Sequence, residues 1–221
     1  MRSLLAEHLR THTRTCHARL DARLGLPGSV RTRTDLAVLL HALVTAWQPL
    51  EEALHGVDGW AEVGLDPRLG DASDLLHRDL DVLGRPDTPA AHVVALRPFG
   101  SLPEAVGARY VLLGSAMGGR AIAPVVEHEL GLVRGEATGF FRRSGMDPGA
   151  DWARFQRATA DLDTPAALAG ALSGAQLAFD VIGAAAAAQV PWPLPGRPDG
   201  LGRPAGPAGE GRVRVVSRPP S

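Results

Sequence analysis

LPEAVGARYVLLGSAMGGRAIAPVVEHEL, residues 102–130, is the stretch on which the fold turns. It follows Ser101, whose hydroxyl suits a helix N-cap, with Pro103 early and Glu104 at the capping-box position. Apolar residues on both sides favour helix, yet within its centre, YVLLGSAMGGRAI (110–122), lie Gly114, Gly118 and Gly119. Each helical glycine costs roughly 0.5–1 kcal/mol against alanine, so three cost about 2–3 kcal/mol. Gly114 and Gly118 are one turn apart, as are Ser115 and Gly119, which leaves a strip without bulky side chains. Two uses fit such a strip: close packing of another helix, or a broad ligand laid against the backbone. A phosphate loop is disfavoured, because no strand precedes the segment and neither GxGxxG nor GxxxxGK is present.

Working outward, the first 190 residues read as helix after helix. Residues 3–24 carry Leu5, Leu9, Cys16, Leu20 and Leu24 on one side. Residues 35–55 follow Thr34 as N-cap, and Pro49 predicts a kink. Residues 74–83 follow Ser73 and stop at Gly84. Residues 149–161 and 165–189 complete the set, the last opening with Thr164-Pro165. No alternating segment of useful length predicts a strand. The expectation is an all-α single domain over 1–190, with six or more helices. Residues 191–221 hold eight prolines and no helical or strand period, which predicts a mostly disordered tail. That tail has five arginines against Asp199 and Glu210, or +3, leaving the body near −4.

The chain has 221 residues, is 45% hydrophobic, and can build a sizeable core. Its 23 basic residues are all arginine, against 24 acidic ones, for a net charge of −1. That balance argues against general nucleic-acid binding, which relies on a basic surface. A single cysteine, Cys16, excludes a disulfide within the chain and a cysteine-rich zinc site. No apolar run approaches the roughly 20 residues of a membrane-spanning helix, and the N-terminus lacks a signal peptide's continuous apolar core. The expectation is a soluble cytoplasmic protein without membrane or nucleic-acid partners.

At about 100° per residue, the first helix can be drawn around His17. Leu24, Leu20 and Leu9 then fall about 20°, 60° and 80° to one side, while Arg10 and Arg14 fall about 20° and 60° to the other. His17 thus sits on the seam between an apolar stripe and two arginines. A flat apolar ligand with an iron and pendant carboxylates matches that layout: imidazole for the iron, leucines for the ring, guanidiniums for the carboxylates. A half-buried structural histidine is the plainer use of the same position. His8 and His12 have the spacing of a metal pair but lie near the opposite side without a clear third ligand.

Taken together, LRTHTRTCHARLD (9–21) and YVLLGSAMGGR (110–120) resemble the heme oxygenase family, especially the bacterial branch often found with bacteriophytochromes. The first looks like that family's proximal helix and the second like its distal helix. Weaker echoes are QPLEEAL (48–54), LDVLG (80–84) and the aromatic stretch from Phe140 to Trp152 and Phe155. The resemblance covers about residues 10–190. It implies a heme-oxygenase-like helical bundle that opens heme oxidatively to biliverdin, releasing iron and carbon monoxide. Heme would be both substrate and cofactor, with an external electron donor such as a ferredoxin or flavoprotein reductase. The branch also offers a bacteriophytochrome as partner. His17 stands where the iron ligand is expected, with Thr13 four residues before it in the cofactor-binding set. Arg10 and Arg14 match the positions that meet the heme propionates. Gly114, Ser115, Gly118 and Gly119 would lie over the distal face.

The match has departures. Animal members carry an aspartate after the first distal glycine, where this chain has Ser115, as in the bacterial branch. The branch's usual glutamate before that glycine is Leu113 here. No arginine occurs between Arg157 and Arg197, so the last-helix arginine that some members use for a propionate has no counterpart. These departures keep open a non-catalytic heme carrier or sensor on the same fold. A thiamine-pyrimidine hydrolase of similar architecture would need a buried cysteine–carboxylate pair, and Cys16 has no clear partner in the sequence.

Overall fold

The computed structural model describes residues 3–68, 72–84, 96–143 and 147–189. Among them the secondary structure is entirely helical. The eight helices are α1 (Leu4–His12), α2 (Arg14–Leu24), α3 (Arg33–His55), α4 (Ala72–Leu83), α5 (Leu102–Leu130), α6 (Gly139–Arg142), α7 (Pro148–Ala158) and α8 (Pro165–Gln189). The expected all-α class holds, while the disordered tail expected over 191–221 lies outside the described residues.

α5 is the axis, and its ends follow the sequence. Ser101 Oγ accepts from the Glu104 backbone N–H, and Gly131 closes the helix in the left-handed region at φ 61°. Glu104 completes only half of a capping box: its carboxylate accepts from Gly100 N–H and pairs with Arg97. α8 lies along α5 with backbones in near contact. A Cβ on Gly107 would fall 1.7 Å from the Ala171 carbonyl oxygen, and one on Gly174 would fall 1.8 Å from that of Glu104. These two glycines, rather than those at 114 and 118, are what lets the helices approach.

α3 also packs on α8, α1 and α2 lean against α8, α4 sits between α3 and α6, and α7 covers α5. α8 is long and apolar enough, by length and composition, to cross a membrane. It packs against α1, α2, α3 and α5, and half of that apolar stretch is buried. The core is built from Leu5, Leu40, Leu50, Leu112 and Phe155, all fully buried.

Three boundaries differ from expectation. The helix over 3–24 divides at Thr13, although the hydrogen bonds Thr13 N–H to Leu9 O and His17 N–H to Thr13 O carry across the break. α3 begins after Thr32, not Thr34, because Asp35 stands three residues on and closes a complete capping box with Thr32. It runs through Pro49 without interruption. Ser73 lies inside α4, and its hydroxyl donates to Glu51 of α3 instead of capping.

The short α6 has no sequence signature and is held by tertiary contacts. The buried Asp79 of α4 accepts from the Gly139 and Phe140 N–H groups at 3.0 and 2.8 Å. Glu127 of α5 receives a two-point contact from Arg142, with Arg142 Nε 2.6 Å from Oε1. The Thr138 hydroxyl and the Gly135 N–H also donate to Glu127.

Candidate functional site

No residue of α2 is fully buried; Leu20 and Leu24 pack partly against the core and leave the rest of their surface open. α2 faces a cavity of about 520 Å³, within the range of small-molecule and cofactor pockets. His17, Leu20 and Leu24 of α2 line it. So do Gly114, Ser115, Gly118 and Gly119 of α5, the whole of the glycine strip. Trp47, Phe140 and Phe179 bring aromatic walls from α3, α6 and α8. The two segments singled out in the sequence therefore meet at one site.

The four strip positions do different work. A Cβ on Gly114 or Gly118 would meet nothing within 4 Å, so these two leave open depth beside the helix backbone. A Cβ on Gly119 would fall 2.7 Å from the Phe141 carbonyl oxygen, so this glycine admits α6. Both uses of glycine raised by the sequence are present, divided between neighbouring turns. Leu113 is fully buried in the core and does not line the cavity. Ser115 Oγ donates to the Leu112 carbonyl at 2.7 Å and accepts from Arg143 Nη2 at 3.0 Å.

His17 Nδ1 lies 2.9 Å from Asp21 Oδ2. A neutral imidazole donates from one nitrogen only, so a proton held on Nδ1 leaves the Nε2 lone pair for a ligand. A carboxylate on the second nitrogen of a histidine is the usual outer support of a metal-bound imidazole. The Phe179 ring stands edge-on to His17, with centroids 6.0 Å apart. Among the described residues no cluster of three or more His, Cys, Asp or Glu is placed to hold a metal ion. A metal at His17 would have to bring its own remaining ligands, as an iron in a porphyrin does. An apolar, partly aromatic chamber with one supported imidazole and a bare helix strip fits that group.

The other expected cofactor contacts are less direct. Arg10 and Arg14 are exposed, and neither lines the cavity. Thr13 is buried; its hydroxyl donates to Leu9 O at 2.7 Å and interacts with Tyr110. Tyr110 does line the cavity, and burial raises its phenol pKa while Thr13 and the Arg10 charge partly offset this. Thr13 therefore reaches the site through Tyr110, while Arg10 acts on that phenol only by its charge. Cys16 is half-buried against the core and outside the cavity wall.

Sequence reasoning missed Asp21, Tyr110 and Arg143. Asp21 was within reach, since it follows His17 by one helical turn. Arg143 carried no signal, because its partners come from α3, α5 and α6. No family model matches the chain, and a search of curated proteins finds no significant match.

Proposed function

We propose that this chain is a heme oxygenase, opening heme to biliverdin with release of iron and carbon monoxide. The observation that carries the reading is the meeting, in one apolar cavity, of His17 with its Asp21 support and the open backbone of Gly114 and Gly118. Heme, when bound, supplies the iron at which dioxygen is activated and the ring that is oxidised.

The chain's own residues place and protect. His17 would hold the iron through Nε2, with Asp21 keeping the proton on Nδ1. Leu20, Leu24 and the aromatic walls exclude bulk water from the ring. Gly114 and Gly118 give room for a small ligand close to the α5 backbone. Ser115 is the hydroxyl set into that strip, where it can orient a water. Tyr110, backed by Thr13 and the Arg10 charge, offers a polar contact for a carboxylate. Electrons come from an external donor, a ferredoxin or flavoprotein reductase. A bacteriophytochrome is the partner that would take up a biliverdin product.

The test is purified protein with heme, oxygen and an electron donor, followed by absorption spectra and pigment identification. The expected result is a stoichiometric heme complex, absent or spectrally altered in His17→Ala, that converts to biliverdin. A complex that keeps its heme unchanged under turnover conditions would overturn the oxygenase in favour of a heme carrier. Failure to bind heme would overturn both.

A further inference from the structure

Arg143 is a cation in the core, 3% exposed, next to but not on the cavity wall. It ends α6 at φ 34°, ψ 69°, in the left-handed region that non-glycine residues seldom adopt. Its guanidinium lies 4.3 Å from the Phe140 ring centroid and 5.6 Å from that of Trp47. Nη1 donates to the Leu112 carbonyl at 3.3 Å and Nη2 to Ser115 Oγ at 3.0 Å. Burial lowers its pKa to about 9, which still leaves it protonated at neutral pH.

Ser115 is fully directed by these contacts. Its one proton goes to the Leu112 carbonyl and one lone pair takes Arg143 Nη2. A hydroxyl has two acceptor sites, so the second lone pair remains for the cavity that Ser115 lines. Arg143 Nε is buried without a protein partner, and so are Glu51 Oε1 and Trp47 Nε1. Trp47 and Glu51 are one turn apart on α3, Trp47 packs on the guanidinium, and Glu51 is the carboxylate whose charge acts on Arg143. Buried polar groups left unpaired are costly, and one ordered water can satisfy two donors and an acceptor together.

We infer that Arg143 is the positioning residue of this cavity: it fixes Ser115 as an acceptor on the wall, and a water shared with Glu51 and Trp47 holds the guanidinium in place. A water lodged on Ser115 must then donate one hydrogen to it, which leaves its other hydrogen free to face the ligand. That catalytic consequence rests on the heme oxygenase reading; the positioning itself does not.

The first test uses the ligand-free, nitrogen-15-labelled protein. The Arg143 Nε–H resonance is expected in slow exchange and should move in Glu51→Gln. The Arg143 Nη resonances should move in Ser115→Ala. If neither variant disturbs the Arg143 signals, the positioning role is wrong, whatever the protein binds.

The second test loads wild type, Ser115→Ala, Arg143→Lys, Arg143→Met and the Arg143→Met/Ser115→Ala double variant with heme. A lost charge-assisted hydrogen bond should slow turnover about ten- to a hundredfold in each single variant, with heme affinity little changed. Lysine, a point charge without the planar fork, should not restore the rate, and the double variant should be no slower than Arg143→Met. Additive losses, or rescue by lysine, would overturn the catalytic consequence. Wild type that binds no heme would remove the oxygenase reading, and the resonance test would still decide the positioning.

Discussion

His17 Nδ1 and Asp21 Oδ2 are 2.9 Å apart across one turn of α2, with both side chains 65% exposed. A pair so exposed contributes about 0–1 kcal/mol to folding, so its use lies elsewhere. By holding the proton on Nδ1, Asp21 leaves Nε2 free for a ligand, the iron of the proposed heme complex. Asp21→Ala should therefore leave the ligand-free protein's stability within about 0.5 kcal/mol of wild type. Its heme affinity should fall about tenfold or more, as outer-shell losses do at other metal sites. Heme titration beside thermal melts checks both halves; equal affinity in the two proteins would remove Asp21 from the site.

The glycines of α5 separate by what stands before them. Gly118→Ala meets no atom within 4 Å, so the gain in helix propensity should stabilise the ligand-free fold by about 0.5–1 kcal/mol. The added methyl points into the depth assigned to the ligand, so heme binding or turnover should suffer. Gly119→Ala drives a Cβ to 2.7 Å from the Phe141 carbonyl and should destabilise. Gly107→Ala, at 1.7 Å from the Ala171 carbonyl, should be the worst of the three. Melting temperatures of the three variants would order them, and a destabilised Gly118→Ala would contradict the open strip.

The sequence made the starts of α5 and α8 readable because they are written in local chemistry: Ser101 for one, Thr164-Pro165 for the other. The seam of His17 was also readable, since a helix wheel needs only spacing. What could not be read is what depends on long-range contact. α6 is four residues long and exists because Asp79 and Glu127 fill its donors. The division of the glycine strip depends on where α6 passes, so Gly119 looked like its neighbours. Arg143 stands in an ordinary FFRRSG run, and nothing local says that Ser115, Glu51 and Trp47 surround it.

Asp79 is buried beneath the first turn of α6, and desolvation raises its pKa against the pull of two backbone donors. Asp79→Ala would strand the Gly139 and Phe140 N–H groups, costing about 2–3 kcal/mol. Asp79→Asn keeps one acceptor oxygen and should cost less. Because α6 carries Phe140 and Phe141 into the cavity wall, heme affinity should fall with the stability of this turn. Urea denaturation and heme titration of the two variants test this, and an unchanged Asp79→Ala protein would show that α6 is held from elsewhere.

Glu127 ties the other side of α6 and gives the fold an acid limit. The Arg142 guanidinium, aided by Thr138 and Gly135, lowers its carboxyl pKa to about 2 from an ordinary 4.5. Between those values the unfolded chain binds a proton that the folded chain does not, so stability rises with pH there. The contribution is complete above about pH 4.5 and is lost as the pH falls towards 2; it is on the order of 3 kcal/mol at neutral pH. Glu127→Gln cannot ionise, so it should be less stable than wild type at pH 7 and closer to it near pH 3. Urea midpoints from pH 3 to 7 would show the wild-type curve falling more steeply on the acid side. Parallel curves would mean that the Glu127–Arg142 pair does not carry the acid sensitivity of α6.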